Sequence, residues 1–248
     1  MKLYEILHDG YIPRLIAGDA TGIALWIIIL LCLAVAVISY LLGGLNFAII
    51  ISKYKFKEDI RTFGSGNAGM TNMLRTYGKS AAAFTLIGDM AKAAVSVLLV
   101  GTLLAGEAGA YIAGFFCVLG HSFPCYYGFK GGKGIVVTAT MLLCLEPLVF
   151  LILFVIFALI VLSTKYLSLG SIIGMMIYPV LLNRMYPTLN GGLQEGAVPA
   201  IISVLNAVLV VWLHRENIKR LMEGKENKFS LKKKDKFVKS EKESDENK

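Results

Sequence analysis

The chain has 248 residues, 56% hydrophobic and 17% charged, with a formal net charge of +8 and a mean hydropathy of +0.67. Soluble globular domains carry roughly 25% charged residues, so the composition excludes an ordinary soluble domain and points to a membrane. The four cysteines, Cys32, Cys117, Cys125 and Cys144, have neither metal-ligand spacing nor a secreted disulfide pattern, and read as small buried hydrophobes.

The first apolar run follows YEILHDGYIPRLIAGD, too late and too long for a cleaved signal peptide. Residues 1–21 are therefore read as an extracytoplasmic lead. No charged side chain occurs between Asp19 and Lys53, which leaves room for a spanning helix within about 22–45. Further spans fall within 81–104 and 108–127. The apolar run from Gly134 to Leu162 is interrupted only by Glu146-Pro147. A proline after a charge favours a tight turn, so this run reads as two short or tilted helices, against one long kinked helix. Spans at about 166–182 and 198–213 follow. The predicted fold class is an all-α integral membrane protein with seven transmembrane helices, the membrane-embedded domain covering residues 22–223.

Charge sets the orientation. With the N-terminus outside and the C-terminus cytoplasmic, the inner segments carry Lys53, Lys55, Lys57, Arg61, Arg75, Lys79, Lys130, Lys133 and Lys165. The outer connections hold almost nothing basic, as the positive-inside rule expects. From Gly224 the composition changes to KENKFSLKKKDKFVKSEKESDENK. Residues 224–248 are read as a disordered cytoplasmic tail with no catalytic role, whose basic middle can lie on anionic lipid. No internal repeat is evident, which weighs against transporters built from duplicated halves.

Three polar clusters fall on the predicted cytoplasmic face. The first is GSGNAGMTNMLRTYGK, residues 64–79. Gly64, Gly66 and Gly69 allow a tight turn with exposed N–H groups, and Ser65, Asn67, Thr71 and Asn72 add side-chain hydrogen bonds. A helix starting near 70 brings Thr71, Asn72 and Arg75 to one side, and Arg suits bidentate phosphate binding. The bland alternative is a helix cap with a positive-inside arginine. In the second cluster His121 ends a span, and Lys130, Gly131, Gly132, Lys133 and Gly134 lead into the next helix. A phosphate there meets backbone N–H groups and a positive helix end; a flexible basic loop is the duller reading. Neither stretch fits the nucleotide-binding loop G-x-x-x-x-G-K-[ST]. The third cluster is HRENIKRL, which puts His214, Asn217 and Ile218 on one face with Arg215 and Lys219 beside it. An amphipathic interfacial helix explains it equally well. Asp89 and Lys92, spaced i,i+3, read as an internal ion pair.

These clusters, in this order, resemble the bacterial acyl-phosphate:glycerol-3-phosphate acyltransferase family, PlsY. The resemblance is carried by DIRTFGSGNAGMTNMLRTYGK at 59–79, GHSFPCYYGFKGGKG at 120–134 and HRENIKRLMEGKE at 214–226, with shorter agreement at YLLGGLN and KYLSLGSI. It covers roughly residues 35–226. It implies an inner-membrane enzyme that moves a fatty acyl group from acyl phosphate to the 1-hydroxyl of sn-glycerol 3-phosphate, releasing inorganic phosphate, with no metal and no cofactor. By motif position it implies a site containing Ser65, Asn67, Thr71, Asn72 and Arg75, then His121 and Lys133, then Ser168 or Ser171, then His214 and Asn217, with Arg220 less firmly matched. Met70 stands where the family usually has alanine, and Asn46 where a proline is common.

Each glycine–cation cluster is expected to hold one of the two substrate phosphates. Direct attack by the glycerol hydroxyl is favoured over an acyl-enzyme on Ser65, with a substrate phosphate, His121 or His214 as base; no carboxylate lies beside either histidine in sequence. The expected partners are the two substrates, membrane lipids and an acyl-phosphate-producing enzyme, with no nucleic acid, and the working unit is taken as a monomer. The runner-up is a transporter of a phosphorylated metabolite, which would instead place its binding charge near the bilayer midplane.

Overall fold

The computed structural model describes residues 22–189 and 197–229. The N-terminal lead, the connection at 190–196 and the tail beyond 229 lie outside the described residues. Within them the chain is helical, with no strand. The helices are α1 (Gly22–Gly44), α2 (Phe47–Phe56), α3 (Met70–Tyr77), α4 (Lys79–Ala94), α5 (Leu103–Ser122), α6 (Ile135–Leu145), α7 (Pro147–Thr164), α8 (Leu167–Leu189), α9 (Ala197–Leu213) and α10 (Arg215–Met222). A π-helical turn, Val95–Thr102, continues α4.

Four stretches are long and apolar enough to cross a bilayer: Trp26–Phe56, Lys79–Tyr127, Pro147–Thr164 and Leu167–Thr188. A fifth is added if α9 and α10, bent by 55°, count as one span. Their outward residues are apolar, with Leu30, Leu159 and Val180 each more than 60% exposed, as lipid contact requires. The stretch Lys79–Tyr127 is not one straight rod. Ala105 and Gly106 leave helical geometry, Gly106 at φ +65°. A Cβ on Gly101 would lie 2.5 Å from the Ala110 Cα, whereas residues nine apart in a continuous helix are about 13.5 Å apart. The chain therefore doubles back here, at the LAGEAG sequence where the second and third spans were divided. Glu146 likewise separates α6 from α7, with Pro147 at the first turn of α7, so the break expected from Glu146-Pro147 is present. At 11 residues, α6 is about half the length of a spanning helix.

Helix α2 was not anticipated, because its apolar start merges with the first span in composition. Asn46 makes the break: its Oδ1 accepts from Ile49 N–H at 3.1 Å, capping α2, and its Nδ2 donates to the Ala68 carbonyl at 3.2 Å. The residue standing in place of the family's proline thus ties α2 to the first glycine-rich loop.

Small residues set the closest approaches. A Cβ on Gly120 of α5 would sit 2.0 Å from the Tyr40 carbonyl of α1, and one on Gly43 2.2 Å from the Cys117 carbonyl. These glycines let the two backbones touch, the usual device where lipid supplies no hydrophobic drive between helices. The largest buried cluster runs from the π-helical turn to α9 in sequence and includes Val97, Tyr111, Met141, Tyr178, Leu182 and Val210. Away from the glycine-rich loops, Tyr111 donates to Glu146 at 2.9 Å and Tyr186 to Glu107 at 2.7 Å, giving both carboxylates a partner. Gly120→Ala is expected to force α1 and α5 apart and cost about 1–3 kcal/mol. Gly174→Ala in α8, where a Cβ meets nothing within 4 Å, is expected to leave stability unchanged or slightly raised. Thermal unfolding of the two detergent-solubilised variants checks the contrast.

Candidate active site

The first and second glycine-rich stretches lie against each other. Ala68 N–H donates to the Gly131 carbonyl at 3.4 Å, and Arg61 donates across the gap to the carbonyls of Tyr127, at 2.5 Å, and Lys130, at 3.0 Å. Asp59 fixes that arginine through a fork of hydrogen bonds at 2.9 and 2.7 Å, which holds the Asp59 carboxyl below its usual range. Arg61 had been counted only as a positive-inside residue. It is the clamp between the two motifs, a role that a sequence separation of nearly seventy residues hides.

The first loop is built on Asn72. Its Nδ2 donates to the carbonyls of Ile60 and Phe63 at 3.2 and 2.9 Å, and its Oδ1 accepts from Ser65 N–H at 3.2 Å. Gly64 stands at φ +58°, and a Cβ there would lie 2.3 Å from Asn72 Oδ1, so the loop wraps onto the amide. Ser65 is then left exposed, while Gly66, Asn67, Thr71 and Arg75 are half-buried.

The second loop ends in α6, whose N-terminus begins at Gly134 (φ +77°) and carries no side-chain cap. Lys133 beside it turns inward and donates to Asn217 Oδ1 on α10. On α10, Asn217 Nδ2 donates to Glu226 Oε1 at 2.8 Å, and Arg220 Nε to Glu226 Oε2 at 2.9 Å. Ser168 at the start of α8 donates to the same Oε1 at 3.0 Å. Glu226 is only 7% exposed, and Arg75, Lys133 and Arg220 lie close enough to shift each other's protonation. Three cations thus converge on one carboxylate. Burial, then Arg220, lower Arg75, while Glu226 opposes. Burial, then Arg220 and Arg75, push Lys133 down to about 8, against Glu226 and Glu216. A half-buried excess of positive charge beside an uncapped helix N-terminus has the charge and the donors that an anion would need.

His214, at the bend between α9 and α10, has Nδ1 2.7 Å from the Val210 carbonyl. A carbonyl only accepts, so Nδ1 carries the hydrogen and Nε2 keeps a lone pair. Burial, then Lys133, hold the ring neutral, with its pKa down to about 4.

Residues 33–224 match the family model described as glycerol-3-phosphate acyltransferase. The chain belongs to the glycerol-3-phosphate acyltransferase family. A relative named glycerol-3-phosphate acyltransferase from Rhizobium etli is 40% identical over 202 residues, spanning 82% of this chain and 93% of the relative. One from Thermoanaerobacter pseudethanolicus is 42% identical over 197 residues, spanning 79% and 95%. Among solved structures, PlsY, an integral membrane glycerol 3-phosphate acyltransferase in its glycerol 3-phosphate form, superposes with a TM-score of 0.71 at 30% identity, covering 80% of this chain and 96% of that one.

Within this acyltransferase several sequence expectations change. Gly131 and Gly132 do not offer their N–H groups to an anion: these donate to the Ser122 and His121 carbonyls at 3.0 and 3.1 Å. Glycine is needed there for closeness, since a Cβ on either would come within 2.0 Å of His121. Lys130 is exposed and contributes its carbonyl, not its ammonium. Asn72 is buried and spends its amide on the loop. Ser171 donates to its own helix at Leu167, 2.9 Å away, and Ser168 is the one of the two bonded to Glu226. The two cation clusters merge into one, because Arg75 and Lys133 share it. A carboxylate does lie near His121: Asp89 Oδ1, on another helix, is 3.6 Å from Nδ1, beyond hydrogen-bond distance. Arg215 stacks on the Trp212 ring and Lys219 is exposed, so Arg220, the less firmly matched residue, supplies the cation on α10. Glu226 lay in the third matching stretch but was assigned to the tail and given no role. Its carboxylate is nonetheless held at the site, and Phe229 N–H binds the Lys165 carbonyl at 2.7 Å.

A lysine attracts an anion only as the ammonium. Affinity for inorganic phosphate is expected to be full below pH 8 and to weaken as pH rises through about 8, where the empty site loses that proton. In Lys133→Arg the alkaline loss is expected to move above the measurable range. Calorimetric titration from pH 7 to 9.5 checks both; identical profiles would remove Lys133 from the anion site.

Proposed function

We propose that this family member takes its acyl group from acyl phosphate and delivers it to the 1-hydroxyl of sn-glycerol 3-phosphate, forming 1-acylglycerol 3-phosphate and inorganic phosphate. Membership makes it a membrane acyltransferase acting on glycerol 3-phosphate in phospholipid synthesis; the donor and the chemistry are the further reading. The observation that carries it is the pooled positive site of Arg75, Lys133 and Arg220, which suits a reaction with a phosphate on both substrates.

Acyl phosphate is an activated mixed anhydride. The glycerol oxygen attacks its carbonyl carbon, the new C–O ester bond forms, and the bond from that carbon to the phosphate oxygen breaks. Arg75 and Lys133 offset charge on the departing phosphate, and the uncapped start of α6 faces the developing oxyanion. The hydroxyl proton passes to a phosphate oxygen. His214 keeps a lone pair on Nε2, yet its pKa of about 4 makes it a weak acceptor at neutral pH. Asn217 and Ser168 hold the polar rim, and Ser65, Asn67 and Thr71 stand where the first loop meets solvent. No step needs a metal or cofactor.

The same reading places seven crossings in the cytoplasmic membrane, N-terminus outside, with the site at the cytoplasmic face. It is supported by the gathering of the ends of α1, α5 and α7 and the starts of α6 and α8 around the lysine-bearing loops. Purified protein given palmitoyl phosphate and glycerol 3-phosphate without divalent metal is expected to release phosphate and lysophosphatidic acid together, and to give neither from palmitoyl-CoA. Arg75→Ala is expected to lower kcat/KM by about 100-fold or more while remaining folded. Product from palmitoyl-CoA alone would overturn the donor assignment.

A further inference from the structure

Outside the cation cluster, Lys92 on α4 is a buried side chain with four polar neighbours. Its Nζ lies 2.8 Å from Asp89 Oδ1, 2.9 Å from the carbonyls of both Gly43 and Leu45, and 3.0 Å from His121 Nδ1. Asp89, Lys92 and His121 are each at most 5% exposed. An ammonium has donors and no lone pair, so His121 Nδ1 faces it with a lone pair of its own. Asp89 is 3.6 Å from that nitrogen, beyond hydrogen-bond distance, and so does not compete for it. Protonating the ring would set two cations 3.0 Å apart in a dry site, whereas the neutral ring leaves Asp89 and Lys92 balanced.

A neutral imidazole with a bare Nδ1 carries its hydrogen on Nε2. That nitrogen lies where the two glycine-rich loops meet: a Cβ on Gly132 would stand 2.0 Å from it and 2.7 Å from the Ala68 carbonyl. His214 is the mirror case, with its hydrogen on Nδ1.

We propose that Lys92, anchored by Asp89, fixes His121 as the Nε2–H tautomer, so that His121 is a hydrogen-bond donor beneath the Gly131–Lys133 loop and not a proton acceptor. Lys92 and Asp89 are then positioning residues for the acyl transfer. That catalytic half rests on the proposed function, while the tautomer itself does not.

The test is the imidazole nitrogen NMR spectrum of protein labelled with 15N-histidine at pH 7.5, in wild type and in a His8→Gln, His214→Gln variant that leaves His121 alone. The expected His121 pattern is a pyridine-like Nδ1 and a pyrrole-like Nε2–H. A pyrrole-like Nδ1, or a doubly protonated ring, would overturn the proposal. Lys92→Arg is expected to keep the pattern and Lys92→Met to give mixed tautomers, a change that a merely structural lysine would not produce. In acyl transfer, His121→Gln keeps a donor without a basic lone pair and is expected to stay within about tenfold of wild type, whereas loss of a general base costs about 100-fold or more. A wild-type spectrum as expected with no acyl transfer from any donor would sink the proposed function and leave the tautomer standing.

Discussion

Three cations held partly out of water around one carboxylate cost free energy until an anion joins them, and much of the loop-bearing end of the fold holds them there. Arg75 is carried by α3, Lys133 by the loop before α6, and Arg220 by α10, so no single element supplies the charge. The surrounding loops and carboxylate are held in turn by polar side chains. Asn72 shapes the first loop, Arg61 clamps the loops together, and Ser168 and Asn217 share one oxygen of Glu226. Glu226 tempers the repulsion without cancelling it, which leaves the site net positive.

The same end of the molecule answers a second requirement. Helix ends placed at a membrane face leave carbonyls without partners, and Lys92 takes up those of Gly43 and Leu45 as α1 stops. One buried ammonium thereby joins α1, α4 and α5 beneath the second loop. The glycines act in the same region by omission. Gly43 and Gly120 bring α1 onto α5, and Gly131 and Gly132 bring the loop down onto His121. The placement of the cation cluster thus depends on backbone contact beneath it.

Much of this was legible in the sequence, and what was not has a common cause. Local patterns spoke plainly: Arg75 after a glycine-rich turn, Lys133 at a helix start, His214 and Asn217 three apart, and a helix break at Glu146-Pro147. Partners distant in sequence did not. Nothing near Arg61 names Tyr127, nothing near His121 names Asp89, and Glu226 sits in a lysine-rich stretch whose composition argues for a solvated tail. Glycine misled in a different way. A glycine beside a lysine can free an N–H for a phosphate or let two backbones touch, and residue type alone does not separate these uses. The carbonyls of His121 and Ser122, which claim the N–H groups of Gly132 and Gly131, are contacts only the fold reveals.

The central claim is that residues from separate motifs form one anion site, and a double-mutant cycle on Arg75 and Lys133 tests it most directly. Inorganic phosphate binding would be measured calorimetrically for wild type, Arg75→Ala, Lys133→Ala and the double variant. A shared phosphate makes the losses non-additive, with a coupling of about 1 kcal/mol or more. Strict additivity would mean that the two cations serve separate ligands and would contradict the single site.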